Sequence, residues 1–254
     1  MILHYISIFI IGIIIGFLGG LFGKGGSAIA TPMLSLIGVP GFIAVAAPLP
    51  ATVPGTFIAS AEYWKSKLLD KQIVLWSIIY GIPATILGSY LTMFTGSTPL
   101  LIITGLMVLA FGISFLFTSN ENKSSKCEDE NNCRPSFWHL RLVLISVFIG
   151  LISGLLANSG GFLLAPSYAK ILKLPIKKAF ACSLAVSIFL ALPGTIVHTY
   201  LGHIDWLVTL ALAIGSVPFS FLGAKVAIRS NANKLERYYG IALTLLGVFF
   251  LFNI

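Results

Sequence analysis

The chain has 254 residues, 57% of them hydrophobic and 9% charged, with a mean hydropathy of +0.98. Soluble domains carry about 25% charged residues, so this composition excludes a water-facing globule, a secreted disulfide scaffold and a coiled coil. The formal net charge of +8 sits in short stretches between apolar runs, as membrane topology demands, and does not indicate a nucleic-acid partner.

In chain order the apolar runs fall at 5–22, 26–38, 42–63, 73–95, 99–118, 142–157, 160–172, 179–200, 207–227 and 235–253. A bilayer core of about 30 Å needs about 20 apolar residues per straight helix, so the expected fold is an all-α polytopic membrane protein. No Lys or Arg precedes Lys24. The basic start of a cleavable leader is therefore missing, and residues 1–22 are expected to stay in the mature chain. Segments 2 and 7 are short. Each follows a Gly-rich break, Gly23-Lys24-Gly25-Gly26-Ser27 and Asn158-Ser159-Gly160-Gly161. Segment 3 carries Pro48, Pro50 and Pro54 and must kink or break. The long polar stretch 119–139 divides the chain.

The halves on either side of it match. Gly16, Gly20, Gly26 and Pro32 fall on Gly150, Gly154, Gly160 and Pro166. With one extra residue in the second copy, Ala44, Leu49, Asp70, Pro83, Gly88, Gly105 and Gly112 fall on Ala179, Leu184, Asp205, Pro218, Gly223, Gly240 and Gly247. Gly and Pro set backbone geometry, so these matches indicate an internal duplication. The expected organisation is a first five-segment repeat at 1–118, a polar linker at 119–139 and a second repeat at 140–254.

Five is odd, so the second repeat should be inverted. With the N-terminus outside and every segment changing sides, the cytoplasmic face collects Lys65, Lys67, Lys71, the 119–139 loop, Arg141, Lys170, Lys173, Lys177, Lys178, Lys225, Arg229, Lys234 and Arg237. The linkers 38–41, 95–99, 157–160 and 200–206 lack Lys and Arg, which satisfies the positive-inside rule in a cell (inner) membrane with both termini outside and only Lys24 left to place. Two constructions of segments 1–2 and 6–7 fit these charges. Both members of each pair cross fully, or each pair is a broken hairpin turning near mid-membrane. The Gly12-xxx-Gly16-xxx-Gly20 and Gly150-xxx-Gly154 spacings would let hairpin arms pack closely.

GFLGGLFGKGGSAIATPMLSLIGVP and the following AVAAPLPATVPGTF resemble the first half of the sulfite exporter TauE/SafE family, also called the 4-toluene sulfonate uptake permease family. GLISGLLANSGGFLLAPSYAKILKLPIKKAFACSLAV resembles its second half, and the likeness covers almost the whole chain. The resemblance implies a transporter of small anions, often sulfur oxyanions or organosulfonates. Three features depart from the family pattern. Lys24 stands where a small or apolar residue is usual. Ala47-Pro48-Leu49 occupies the place that Cys182-Ser183-Leu184 fills in the second half. The second Gly-rich motif contains Ala157 and Asn158.

Physics gives these motifs a role of their own. Inverted-repeat transporters bind substrate where helices break near mid-membrane. A helix N-terminus offers free N–H groups and partial positive charge, and glycines let an anion approach the backbone. The candidate substrate-binding residues are Gly23, Lys24, Gly25, Gly26, Ser27, Asn158, Ser159, Gly160 and Gly161, with Thr52, Ser183 and Ser187 as hydroxyls along the path. The bland alternatives are glycines that only allow packing, a Lys24 that anchors segment 1 in the cytoplasm, and hydroxyls bonded within their own helices.

Lys24 lies in no ATP-binding loop, because Leu18 stands where a Gly is needed and Gly25 where a Ser or Thr is needed. Asp70 and Asp205 read as helix caps. Glu62 and His198, at the ends of segments 3 and 8, read as solvated end residues rather than a proton relay. Cys182 reads as a packing residue, and Cys127 and Cys133 as part of a cytoplasmic linker in which no stable disulfide is expected. No clustered catalytic constellation stands in the segments, so the chain is expected to be no enzyme and to need no cofactor or metal. Its partners are a small anion, with or without a co-transported ion, and the lipid bilayer. An anion channel on the same scaffold and a non-transporting membrane sensor remain as other readings.

Overall fold

The computed structural model describes residues 2–23, 27–95, 97–118 and 137–252. Within them the chain forms α1 (Ile2–Phe22), α2 (Ser27–Leu36), α3 (Gly41–Ala46), α4 (Pro48–Lys65), α5 (Lys71–Leu91), a 3-10 turn (Thr92–Phe94), α6 (Ser97–Thr118), α7 (Trp138–Leu155), α8 (Gly161–Lys170), α9 (Ile176–Tyr200), α10 (Trp206–Arg229) and α11 (Ala232–Leu251). Six stretches are long and apolar enough to cross a membrane: His4–Phe22, Gly41–Lys65, Lys71–Phe94, Trp138–Leu155, Ile176–Tyr200 and Trp206–Arg229. The protein is an all-α, multi-pass membrane protein. Its outward faces carry bare apolar side chains such as Leu75, Ile79, Leu87, Phe148, Leu210 and Ile214, which suit lipid rather than water.

Local chemistry sets the element ends. Segment 3 breaks where its prolines require. Pro48 has no N–H to give back to α3, so that helix stops at Ala46 and Pro48 opens α4. Asp70 Oδ1 accepts from Gln72 and Ile73 N–H at 2.9 and 3.3 Å, and Asp205 Oδ1 accepts from Leu207 and Val208 N–H at 2.8 and 3.2 Å. Both are N-caps, as read from sequence. The helices α2 and α8 have 10 residues each. At 1.5 Å per residue each reaches about 15 Å, half of what a hydrocarbon core requires.

Positions that match in sequence match in conformation. Pro40 (φ −53, ψ 141) and Pro175 (φ −54, ψ 137) precede α3 and α9. Positive φ recurs at Gly23 and Ala157, at Gly38 and Lys173, and at Lys67 and Gly202. Packing is crosswise. The helix α1 lies along α10 as α7 lies along α5, α4 meets α10 as α9 meets α5, and α4 meets α9 while α6 meets α11.

The small-residue spacings serve this crosswise packing rather than the hairpin arms expected from sequence. A Cβ on Gly20 would stand 2.1 Å from Ser220 O of α10, and one on Gly154 would stand 2.1 Å from Thr85 O of α5. Backbone approaches backbone at these two points, and no larger residue fits. The buried core runs along α9, from Phe180, Ala181 and Cys182 to Leu190, with Tyr63, Phe162 and Tyr168 against it.

Candidate functional site

The two Gly-rich breaks meet. Ser27, the first residue of α2, donates its hydroxyl to Asn158 Oδ1 in the turn before α8. The Ser27 and Ser159 hydroxyl oxygens lie 3.1 Å apart, and the Ser159 backbone N–H donates to Ser27 Oγ at 3.3 Å. Residues more than a hundred positions apart thus form one polar knot in an apolar surround. Ser27, Asn158 and Ser159 are at most 2% exposed. Because Ser27 Oγ already accepts from Ser159, its own hydrogen goes to the Asn158 carbonyl oxygen. This orients the carboxamide and leaves both Asn158 Nδ2 hydrogens without a partner among the described residues.

The turn that carries Asn158 curls back on α7. Ala157 N–H donates to Gly154 O at 3.1 Å and Asn158 N–H to Ser153 O at 2.7 Å. Gly160 (φ +72) precedes α8, which no side chain caps. Leu163 and Leu164 N–H both donate to Gly160 O, at 3.0 and 2.9 Å, so the helix N-cap lies two residues after Asn158, with no side-chain acceptor at its end. Gly161 begins α8.

Of the other sequence-derived candidates, Gly23 sits at the end of α1 with φ +69, and a Cβ there would stand 2.5 Å from Phe180 Cα. Its carbonyl accepts from Ser183 Oγ at 2.6 Å, and Ser183 also reaches Phe180 O at 3.0 Å. Gly23 thus stands at Phe180, one turn into α9, and Gly160 at Leu190, past the middle of that helix. Lys24, Gly25 and Gly26 lie outside the described residues, as do Cys127 and Cys133. Thr52 and Ser187 match across the halves, and each donates into its own helix, to Leu49 O at 3.2 Å and to Leu184 O at 2.8 Å. Both hydroxyls are buried, and neither has a hydrogen left for a ligand.

His198 corrects an expectation. It is 1% exposed rather than solvated. Its Nε2 lies 3.2 Å from Gly154 O, the carbonyl that also holds Ala157 N–H, and its Nδ1 lies 3.2 Å from His203 Nδ1. His203 stacks on Phe42 of α3 with ring centroids 4.5 Å apart. Sequence reasoning passed over His203 altogether. The available signal was two of the chain's four histidines five residues apart at one helix end. Glu62, expected to be solvated, is only 16% exposed at its side chain and pairs with Lys65 at 3.0 Å at the end of α4. Cys182 is buried, and its Sγ accepts from Asp70 N–H at 3.4 Å. Among the described residues no group of three or more His, Cys, Asp or Glu could hold a metal.

Comparison with known proteins agrees with this architecture. The family model described as "Sulfite exporter TauE/SafE" matches residues 8–250. The "Probable membrane transporter protein YunE" of Bacillus subtilis is 22% identical over 263 residues, covering 96% of each chain. A "Probable membrane transporter protein" of Xylella fastidiosa is 26% identical over 94% of this chain and 91% of its own. The "Probable membrane transporter protein MJ0441" of Methanocaldococcus jannaschii is 27% identical over 95% and 93%. No solved structure matches the chain. A helical, multi-pass molecule whose family match runs nearly end to end is no enzyme: the chain belongs to the sulfite exporter TauE/SafE family of membrane transporters.

Proposed function

We propose that the protein carries a small anion, a sulfur oxyanion or organosulfonate, through a site where the start of α2 meets the turn before α8. The observation that supports this reading is the pair of buried Asn158 Nδ2 hydrogens beside the uncapped N-terminus of α8. A buried donor without an acceptor costs about 1–3 kcal/mol. An oxyanion removes that cost and also meets the partial positive charge of the helix end. Ser27 and Ser159 hold the carboxamide in position, and Lys24, next to Gly23 in the chain, supplies a full charge.

The same reading assigns segments 1–2 and 6–7 to broken hairpins, because α2 and α8 are too short to cross and the two tips meet at Ser27 and Asn158. The repeats 1–118 and 140–254 then face opposite sides of a cell membrane, and the 119–139 linker lies in the cytoplasm.

The test is binding to purified protein, read by thermal stabilisation in detergent, against sulfite, sulfate, thiosulfate, sulfoacetate, taurine, small carboxylates and chloride. A sulfur oxyanion or sulfonate should stabilise most. Stabilisation by neutral or cationic solutes alone would overturn the reading.

A further inference from the structure

The two halves close the end of their first helix in the same way but with different chemistry. The offset that brings Ala44 onto Ala179 brings Tyr63 onto His198, just as Gly20 falls on Gly154. Tyr63 Oη donates to Gly20 O at 3.3 Å, and His198 Nε2 reaches Gly154 O at 3.2 Å. A phenol keeps its proton at any physiological pH, whereas an imidazole exchanges one between about pH 5 and 8. The second half adds His203 where the first has Leu68.

The contacts assign the tautomers. A carbonyl only accepts, so His198 Nε2 carries hydrogen and neutral His198 presents a lone pair at Nδ1. His203 must then donate through Nδ1–H across the 3.2 Å contact, which leaves its Nε2 basic. A proton taken from water at His203 Nε2 makes that ring cationic. Passing the Nδ1 hydrogen on to His198 Nδ1 neutralises His203 and leaves the charge on His198. The pair gains one proton and one unit of charge, and the His198–Gly154 bond becomes charge-assisted at the C-terminal end of α7, where a cation is favoured. A second proton would set two cations face to face.

Among the described residues, no charged side chain is in contact with the pair. Gly154 O belongs to α7, α5 offers Ser89 Oγ to the same carbonyl at 3.4 Å, and α3 offers the Phe42 ring. Asp205 turns its Oδ1 to the first N–H groups of α10. Further off, Tyr90 of α5 faces outward and Glu62 and Lys65 of α4 pair with each other, while Lys225 of α10 lies over the Phe221 ring at 4.1 Å.

Gly154 O is also the acceptor for Ala157 N–H, and the next residue is Asn158. A charge on His198 therefore pulls on the turn that presents the anion-binding amide. We propose that His198 and His203 together bind a proton that travels with the transported anion, an inference that rests on the anion reading above. Binding linkage is reciprocal: an anion at Asn158 raises the affinity of the pair for a proton, and the proton raises affinity for the anion. Burial holds the His203 imidazole below its ordinary range, so without an anion the pair stays neutral.

Thiosulfate is the probe, because it does not itself titrate near neutrality. Full-length protein in proteoliposomes with an internal pH dye should move protons together with thiosulfate down an imposed thiosulfate gradient. His198→Gln keeps an N–H for Gly154 O but cannot hold the charge. It should lower the proton-to-thiosulfate ratio about tenfold or more. His203→Gln, at a half-buried position in the linker after α9, should do the same and guards against a misfolded first variant.

An unchanged ratio in the folded variants, or thiosulfate movement without protons in the wild type, overturns the proposal. If the wild type moves no thiosulfate, thiosulfate is not the anion carried, and 15N-histidine NMR in a His4→Gln/His139→Gln background then decides whether the pair holds one shared proton. Both rings changing together for one shared proton upholds it, and independent titration of each ring overturns it.

Discussion

Asn158 holds its amide hydrogens in a place that is 2% exposed, and Lys24 brings a charge one residue beyond Gly23. The two should be separable by affinity. A charge-assisted hydrogen bond contributes about 1.5–3 kcal/mol, roughly 10- to 150-fold in affinity, and a neutral one about 1 kcal/mol, roughly fivefold. Lys24→Met, which keeps the apolar stem, should therefore weaken thiosulfate binding by the larger factor and Asn158→Ala by the smaller, both read by titration calorimetry. Full affinity in Lys24→Met would make Lys24 a cytoplasmic anchor and leave Asn158 and the α8 N-terminus as the anion-binding groups.

His203 gives a pH prediction. Burial lowers its folded value below the ordinary 6.5. Above that ordinary value the ring is neutral both folded and unfolded. As pH falls below it, the unfolded chain gains a proton that the folded one refuses, so stability falls. The melting temperature in detergent without anion should drop below about pH 6.5. His203→Gln should lack that part of the drop. Equal slopes in the two proteins would place His203 in ordinary solvent.

The element scale explains what could be read from sequence. The Asp70 and Asp205 caps and the break at Pro48 depend on residues within one turn, so they were legible. The hydroxyls of Thr52 and Ser187 follow the plainer of the two alternatives read from sequence. Each satisfies itself with a carbonyl three residues back, a local alternative open to any Ser or Thr in an apolar helix. His198 was misread: its place at the end of α9 suggested solvent, but Gly154, 44 residues earlier in the chain, covers it. The Gly spacing was seen and its partner mistaken, because periodicity shows that a face is small without showing what it meets.

The partner is now specific enough to test. In Gly154→Ala the new methyl would stand 2.1 Å from Thr85 O and 2.7 Å from Ser89 N. These are backbone atoms, so α7 and α5 must separate. Such overpacking costs about 1–3 kcal/mol, and it also displaces the carbonyl that His198 and Ala157 share. The variant should melt well below wild type. Gly38→Ala, in open space though at φ +83, serves as a control for left-handed backbone strain alone. If Gly154→Ala were no less stable than that control, the α7–α5 approach would not be as close as described.

At the scale of the whole molecule, the knot between Ser27 and Asn158 is what the proposed inversion would produce, with equivalent tips entering from opposite sides. Nothing local in either Gly-rich stretch points to the other. The duplication suggests that link: two copies of one broken hairpin related by inversion, as proposed above, would bring their tips together. Orientation then follows from charge. Lys and Arg gather at one end of the segments, and the linkers at the other end have none. Long-range inversion would exchange the faces, so the prediction is sharp.

On a background lacking Cys127, Cys133 and Cys182, a cysteine placed by Ser124→Cys in the central linker should resist a membrane-impermeant maleimide in intact cells and react once the cells are opened. A cysteine placed by Gly202→Cys, in the linker between α9 and α10, should react in intact cells. Removing Cys182 also takes away the acceptor of Asp70 N–H, so each variant must first melt as the cysteine-free parent does. Labelling of the Ser124→Cys protein in intact cells, with the Gly202→Cys protein protected, would turn the molecule over. The His198–His203 pair would then face the cytoplasm, and any proton carried with the anion would be taken up from that side.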